Sequence, residues 1–152
     1  MAEQTVLLIL IPILVGGVTQ VMKGIVKSWR AKELRLKYLF DYGDFPSTHT
    51  SFVISVVTVI GFHEGISSTI FFLAVALAVI IIRDAWSFRR KVSRYGEVLN
   101  NLRPTLSKKQ HDAIHGVRIE ERLGHNFYEI FGGAVFGFFL SWLFYWILLQ
   151  LI

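Results

Sequence analysis

The sequence contains no cysteine. Disulfides and thiol chemistry are therefore excluded. It also lacks any internal repeat or low-complexity tract, and its 152 residues read as one domain, 1–152. Lys and Arg are missing from three places: the N-terminal tail, residues 63 to 65 and the C-terminal end. No basic stretch precedes the first apolar segment, and no small-residue cleavage site follows it. That pattern differs from a secretory signal peptide.

What is present is mostly apolar. Hydrophobic residues make up 53% of the chain, with a mean hydropathy of +0.52, too high for an ordinary soluble domain. The 22 aromatic residues gather near the ends of apolar runs, as in a membrane-interface belt. Four apolar segments stand out: about Val6 to Val26, about Thr50 to Phe62, Ile66 to Ile82 and about Phe127 to Ile152. A span needs roughly 20 residues. The second segment is short even when counted from Pro46, which leaves a re-entrant or thinly spanning helix open. The third continues into the amphipathic run RDAWSFRRKVSRYGEVLN. HEG, residues 63 to 65, reads as a tight turn, and RPTLSKKQ as a turn or linker. The expectation is an all-α integral membrane bundle of about four transmembrane helices.

Charge sets the expected orientation. Fourteen of the sixteen Lys and Arg lie in two polar connections, 27 to 45 and 89 to 125. The positive-inside rule places both connections in the cytoplasm and both termini outside. The net charge of +5 flanks apolar runs, so anionic lipid head groups explain it better than nucleic acid.

This topology collects polar residues in one layer at the cytoplasmic face. Lys23 ends the first span, Ser47 and His49 begin the second, Arg89 and Arg90 follow the third, and His125 and Glu129 begin the fourth. Ionisable groups at membrane depth are costly and mark candidate sites. Arg and Lys suit phosphate oxygens, and a helix start offers backbone N–H groups. Two histidines can divide attack on phosphorus and protonation of the leaving oxygen. His125 and Glu129 are four residues apart, on one helix face.

Each feature has a plainer reading beside it. Pro46-Ser47 is also an ordinary helix start. Lys23 also suits snorkelling to head groups, and Arg89, Arg90 and Lys91 suit positive-inside flanks. His125 also suits an interfacial, hydrogen-bonded position, and Glu129 a first-turn acid. His111 and His115 have a zinc-like spacing but no third ligand in the sequence, and read as part of a solvated linker helix. Gly133-x-x-x-Gly137 is either an interface between chains, with a homo-oligomer as its consequence, or packing inside the bundle.

Several motifs occur together in order. They are Gln20-x-x-Lys23, Pro46-Ser47-Thr48-His49, Asp84-Ala85 with Arg89-Arg90 and Leu99-Asn100, and Leu123-Gly124-His125 with Glu129 and Gly132-Gly133. Together they resemble the divergent membrane branch of the type 2 phosphatidic acid phosphatase superfamily, which also includes vanadium haloperoxidases. The resemblance covers about residues 20 to 140. It implies a membrane phosphatase acting on a lipid-linked phosphate, with polyprenyl (di)phosphate and phosphatidate types both fitting. It implies His125 as the nucleophile that forms a phosphohistidine, Glu129 as its orienting acid and His49 as general acid. It implies Lys23, Ser47, Arg89 and Arg90 as phosphate ligands, and neither metal nor cofactor. The sequence departs from the superfamily at Ile119, where an Arg is usual, and lacks the usual Arg-Pro pair after the first-motif Lys. These departures keep a non-catalytic anionic-lipid binder or transporter as the alternative. A structural membrane protein, its polar residues only capping and anchoring helices, is a third reading.

Overall fold

The structure is a computed structural model that describes residues 2–39, 44–105 and 126–151. All regular structure among them is helical. Helix α1 covers Ala2–Ala31, α2 Thr48–Glu64, α3 Thr69–Arg83, α4 Arg89–Leu102 and α5 Phe127–Leu149. Three helical stretches are long and apolar enough to cross a membrane: Thr5–Ala31, Thr69–Thr105 and Phe127–Leu149.

Helix α2 is the short one. Its 17 residues give a length of about 25 Å, less than a typical hydrocarbon core of about 30 Å. It lies at the centre and packs against α1, α3 and α5. Its buried residues are mostly small and polar: Thr50, Ser51, Ser55 and Thr58, with Val53 and Val59.

Local sequence explains the boundaries. Ser47 caps α2, and Gly65 ends it at φ 82°, a left-handed conformation that glycine adopts without a Cβ penalty. Ser68 then caps α3. His63 and Glu64 form the last turn of α2, so the reversal runs through Gly65 to Ser68 rather than through HEG. Between α3 and α4 the chain does not break. Residues Asp84–Phe88 form a π-helical turn, which inserts one extra residue without ending the helix. The outcome is a continuous rod from Thr69 to Thr105, about 55 Å long at 1.5 Å per residue.

The bundle interior changes character along its length. On α1, the residues Leu7, Ile11, Val15, Thr19 and Lys23 recur every fourth position, and all are buried. The first three join Val59 and Tyr145 in the apolar core. Thr19 and Lys23 continue the same stripe toward the Lys- and Arg-rich end, where the interior turns polar.

Helices α2 and α5 approach most closely. Ser47, Ser51 and Ser55 recur every fourth residue on α2, facing Gly133, Gly137 and Ser141 on α5. A Cβ on Gly133 would fall 2.5 Å from the Ser47 carbonyl oxygen, and one on Gly137 2.5 Å from that of Ser51. Only glycine lets the backbones come this near. Small residues bring transmembrane helices together in this way because lipid offers no hydrophobic drive for association. Ser51 Oγ lies 2.9 Å from the Gly133 carbonyl oxygen, and Ser141 Oγ lies 2.6 Å from Ser55 Oγ. The Gly133-x-x-x-Gly137 pair is thus used within the bundle.

Candidate phosphate site at the polar end of the bundle

The start of α2 is held from two sides. From α1, Gln20 Oε1 accepts a hydrogen bond from Thr48 Oγ1 at 2.7 Å. The same amide donates through Nε2 to the Leu39 carbonyl, which ties down the 3₁₀ turn Leu36–Leu39. From α5, the Glu129 carbonyl accepts from the Ser47 backbone N–H at 3.0 Å. Behind this junction the Phe45 ring covers Gly132 and meets Phe136 edge to face.

Ser47 sits inside this junction with no exposed surface. Its Oγ accepts from Thr50 N at 3.4 Å and from Thr50 Oγ1 at 3.0 Å. A helix leaves the first N–H groups of its N-terminus to be satisfied from outside. At α2 these are the amides around Thr48 and His49. The side chain of Ser47 therefore both caps the helix and packs it. His49, one residue into α2, is exposed.

Lys23 is 5% exposed. It lies three residues past Gln20 on α1, about 4.5 Å farther toward the basic end. Gln20 meets Thr48, so Lys23 is level with the segment that leads into α2. An ammonium group at this depth needs interaction partners, and Lys23 is not without one.

Glu129 is half-buried in the first turn of α5. Its Oε2 accepts from the Asn126 backbone N–H at 3.1 Å, the carboxylate half of a capping box. Asn126 directly follows His125 in the chain. The carboxylate thereby fixes the residue next to the expected nucleophile, and a carboxylate retains further acceptor positions.

The remaining expected ligands are placed differently. Arg89 belongs to the α3–α4 rod, where its Nε donates to Asp84 Oδ2 at 3.1 Å. Its backbone N–H bonds to the Asp84 carbonyl across the π turn. Arg90 points to an outer groove of the same rod. The structure thus joins Gln20, Ser47, Thr48 and Glu129 around the start of α2, with Lys23 buried about one turn farther along α1. It holds Arg89 and Arg90 on their own rod. His125, Gly124, Ile119 and the His111/His115 pair lie outside the described residues. Among the described residues no cluster of three or more metal-ligating side chains forms.

Two features had no role in the sequence reading. Gln20 was seen only as part of a motif, yet it links α1, the 3₁₀ turn and α2. The serine ladder on α2 was readable as the four-residue spacing of Ser47, Ser51 and Ser55, matched by Gly133, Gly137 and Ser141.

YuiD, an uncharacterized membrane protein of Bacillus subtilis (strain 168), is 25% identical over 131 residues, spanning 80% of this chain and 83% of that protein. No solved structure shows significant similarity. Residues 4–140 match the divergent PAP2 family, a stretch that includes the first-helix Gln20-x-x-Lys23, the capped start of α2 and the Glu129 turn of α5; the chain belongs to that family.

Proposed function

We propose that this protein is a membrane phosphatase that hydrolyses a phosphate monoester or diphosphate, with a lipid-linked substrate. The observation that carries the reading is the junction at the polar end. There the Thr48–Gln20 and Ser47–Glu129 bonds tie α1, the N-terminus of α2 and the Glu129 turn together, and Lys23 is buried about one turn past Gln20.

In this reading α2 completes a four-helix membrane bundle. Its termini lie outside and the basic end lies in the cytoplasm, in keeping with the Lys and Arg distribution. A lipid phosphate reaches the site from the side. Lys23 and the α2 amides bind the phosphoryl oxygens, with Ser47 shaping the rim. Arg89 joins them by exchanging Asp84 for phosphate, and Arg90 adds positive charge beside it. His125 attacks phosphorus as the bond to the leaving oxygen breaks, and His49 gives that oxygen a proton. Water then attacks the phosphohistidine. His49 takes the water proton, phosphate leaves and His125 is restored. Cationic side chains and backbone amides stabilise the charge that develops on the phosphoryl oxygens.

The test is phosphate release by detergent-purified protein in EDTA, from a polyprenyl diphosphate and from phosphatidate. Wild type releases phosphate from at least one of them. His125→Ala falls to background, and His49→Ala loses on the order of 100-fold or more. Full activity in His125→Ala would sink the assignment.

A binder without turnover is the second reading. It is favoured by the complete burial of Ser47 and the Arg89–Asp84 pairing. Tight vanadate binding with no release from either substrate selects it.

A further inference from the structure

The α3–α4 rod carries a second concentration of charge, on residues other than those at the start of α2. A groove of about 440 Å³ is lined by Arg83, Trp86, Ser87, Arg90, Lys91 and Arg94. Four of these six residues are cationic, and none is acidic. Arg83 and Arg90 flank the π turn Asp84–Phe88, and Arg94 lies one α-helical turn beyond Arg90, on the same face. The groove lies where the apolar α3 gives way to the polar α4.

A second hollow of about 310 Å³ adjoins it and shares Arg83, Ser87 and Lys91. It adds Ile80, Phe88 and Asp84 to the lining. Asp84 is already engaged by Arg89 at 3.1 Å. Ile80 and Phe88 are 65% and 64% exposed. Positive charge thus runs directly into open apolar surface, with Trp86 beside it. Tryptophan is favoured at the membrane–water boundary.

We propose that this groove binds the phosphate-bearing head group of an anionic phospholipid, with an acyl chain lying along Ile80 and Phe88. Arg supplies forked donors to phosphate oxygens, and Lys supplies a point charge. A free phosphate would use the cations alone. The adjoining apolar surface and the tryptophan favour a lipid. The lining includes none of Gln20, Lys23, Ser47, Thr48 or Glu129; it shares Arg90 with the phosphatase reading, so the test is placed on Lys91 and Arg94.

The experiment is thermal unfolding of the full chain in detergent. Phosphatidylglycerol, phosphatidylcholine with matched acyl chains, or inorganic phosphate is titrated in. Wild type is stabilised more by phosphatidylglycerol than by either alternative. Each cation near a membrane surface contributes about 1 kcal/mol of attraction, so Lys91→Gln/Arg94→Gln weakens the phosphatidylglycerol response about thirty-fold. Arg35→Gln/Lys37→Gln removes the same charge from the other basic connection and leaves the response unchanged. If the groove double variant does not fold, Arg94→Gln alone is read in the same way. Equal responses to the two lipids, an equal response to inorganic phosphate, or an equal loss in the control pair overturns the proposal.

Discussion

The α2–α5 seam and the α3–α4 rod are built on opposite principles. The seam is close-packed, and its backbones touch through glycine. Its polar side chains all turn inward, as with Ser51 on the Gly133 carbonyl and Ser141 on Ser55. The rod packs on α2 along α3 and turns much of its remaining surface outward. Ile80, Trp86, Phe88, Tyr95 and Leu99 are all about half-exposed or more. Its charged pair, Arg89 with Asp84, is partly solvated. The difference teaches which part can carry precise chemistry. A reacting phosphate needs groups held within a fraction of an ångström. The seam holds Ser47 and the Glu129 turn through backbone as well as side-chain bonds. The rod suits looser work, such as attracting an anionic head group.

The largest effect that would sharpen this contrast is at Gly137. An added Cβ would meet the Ser51 carbonyl oxygen at 2.5 Å and Ser51 Cα at 2.9 Å. These are backbone atoms of a central helix, so relief requires α2 and α5 to separate. Overpacking of this kind costs about 1–3 kcal/mol, and the intrinsic helix preference for Ala returns no more than about 1 kcal/mol of it. Gly137→Ala therefore lowers the thermal midpoint in detergent. Gly17→Ala serves as the control, because a Cβ there meets nothing within 4 Å. Equal midpoints for the two variants would mean that the seam is not close-packed.

How much of this was legible beforehand depends on which force decided each feature. Span positions were legible because apolar length is a one-dimensional signal, and α1, α3 and α5 fall where the hydrophobic runs predict. Helix α2 was ambiguous for the same reason. Its residues answer to neighbouring helices rather than to lipid, and small polar side chains look weak on a hydropathy scale. The continuity of α3 into α4 was visible in the amphipathic run, but the π turn was not, since no residue type marks it. At the site, the capped start at Ser47 was readable from Pro-Ser-Thr. The partner of Arg89 was not foreseen. The sequence pattern set Asp84 beside it five residues back, a spacing that an α-helix would not bring together but the extra residue of the π turn does. The sequence offers Glu129 as the acid that orients His125, with a first-turn acid as the plainer reading, whereas its backward bond to Asn126 is a matter of cap geometry.

A middle-sized effect is expected at Ser141. Its Oγ lies 2.6 Å from Ser55 Oγ and 2.5 Å from the Gly137 carbonyl oxygen, and it is fully buried. Removing the hydroxyl leaves Ser55 without this partner. The bond to Gly137 is local to its own helix, so the interhelical bond sets the cost. Such bonds average about 0.6 kcal/mol in membrane proteins. Ser141→Ala thus loses roughly that amount, and Ser55→Ala adds little to it. A double-mutant cycle measured by detergent unfolding reads the coupling directly. Zero coupling would detach the serine ladder from the stability of the seam.

The smallest effect lies on the rod. Asp84 and Arg89 form an ion pair at 3.1 Å, with side chains 42% and 34% exposed. At that exposure, water and salt screen most of the Coulomb attraction, and holding two side chains together has an entropic cost. Asp84→Ala is expected to change unfolding stability by less than about 0.5 kcal/mol. It also releases the Arg89 guanidinium from its carboxylate. If Arg89 reaches phosphate by giving up Asp84, the variant binds vanadate at least as tightly as wild type while its melting barely moves. Weaker vanadate binding would show that Asp84 aims Arg89 rather than restraining it. A loss of several kcal/mol would break the comparison itself, because it would make the rod as tightly built as the seam.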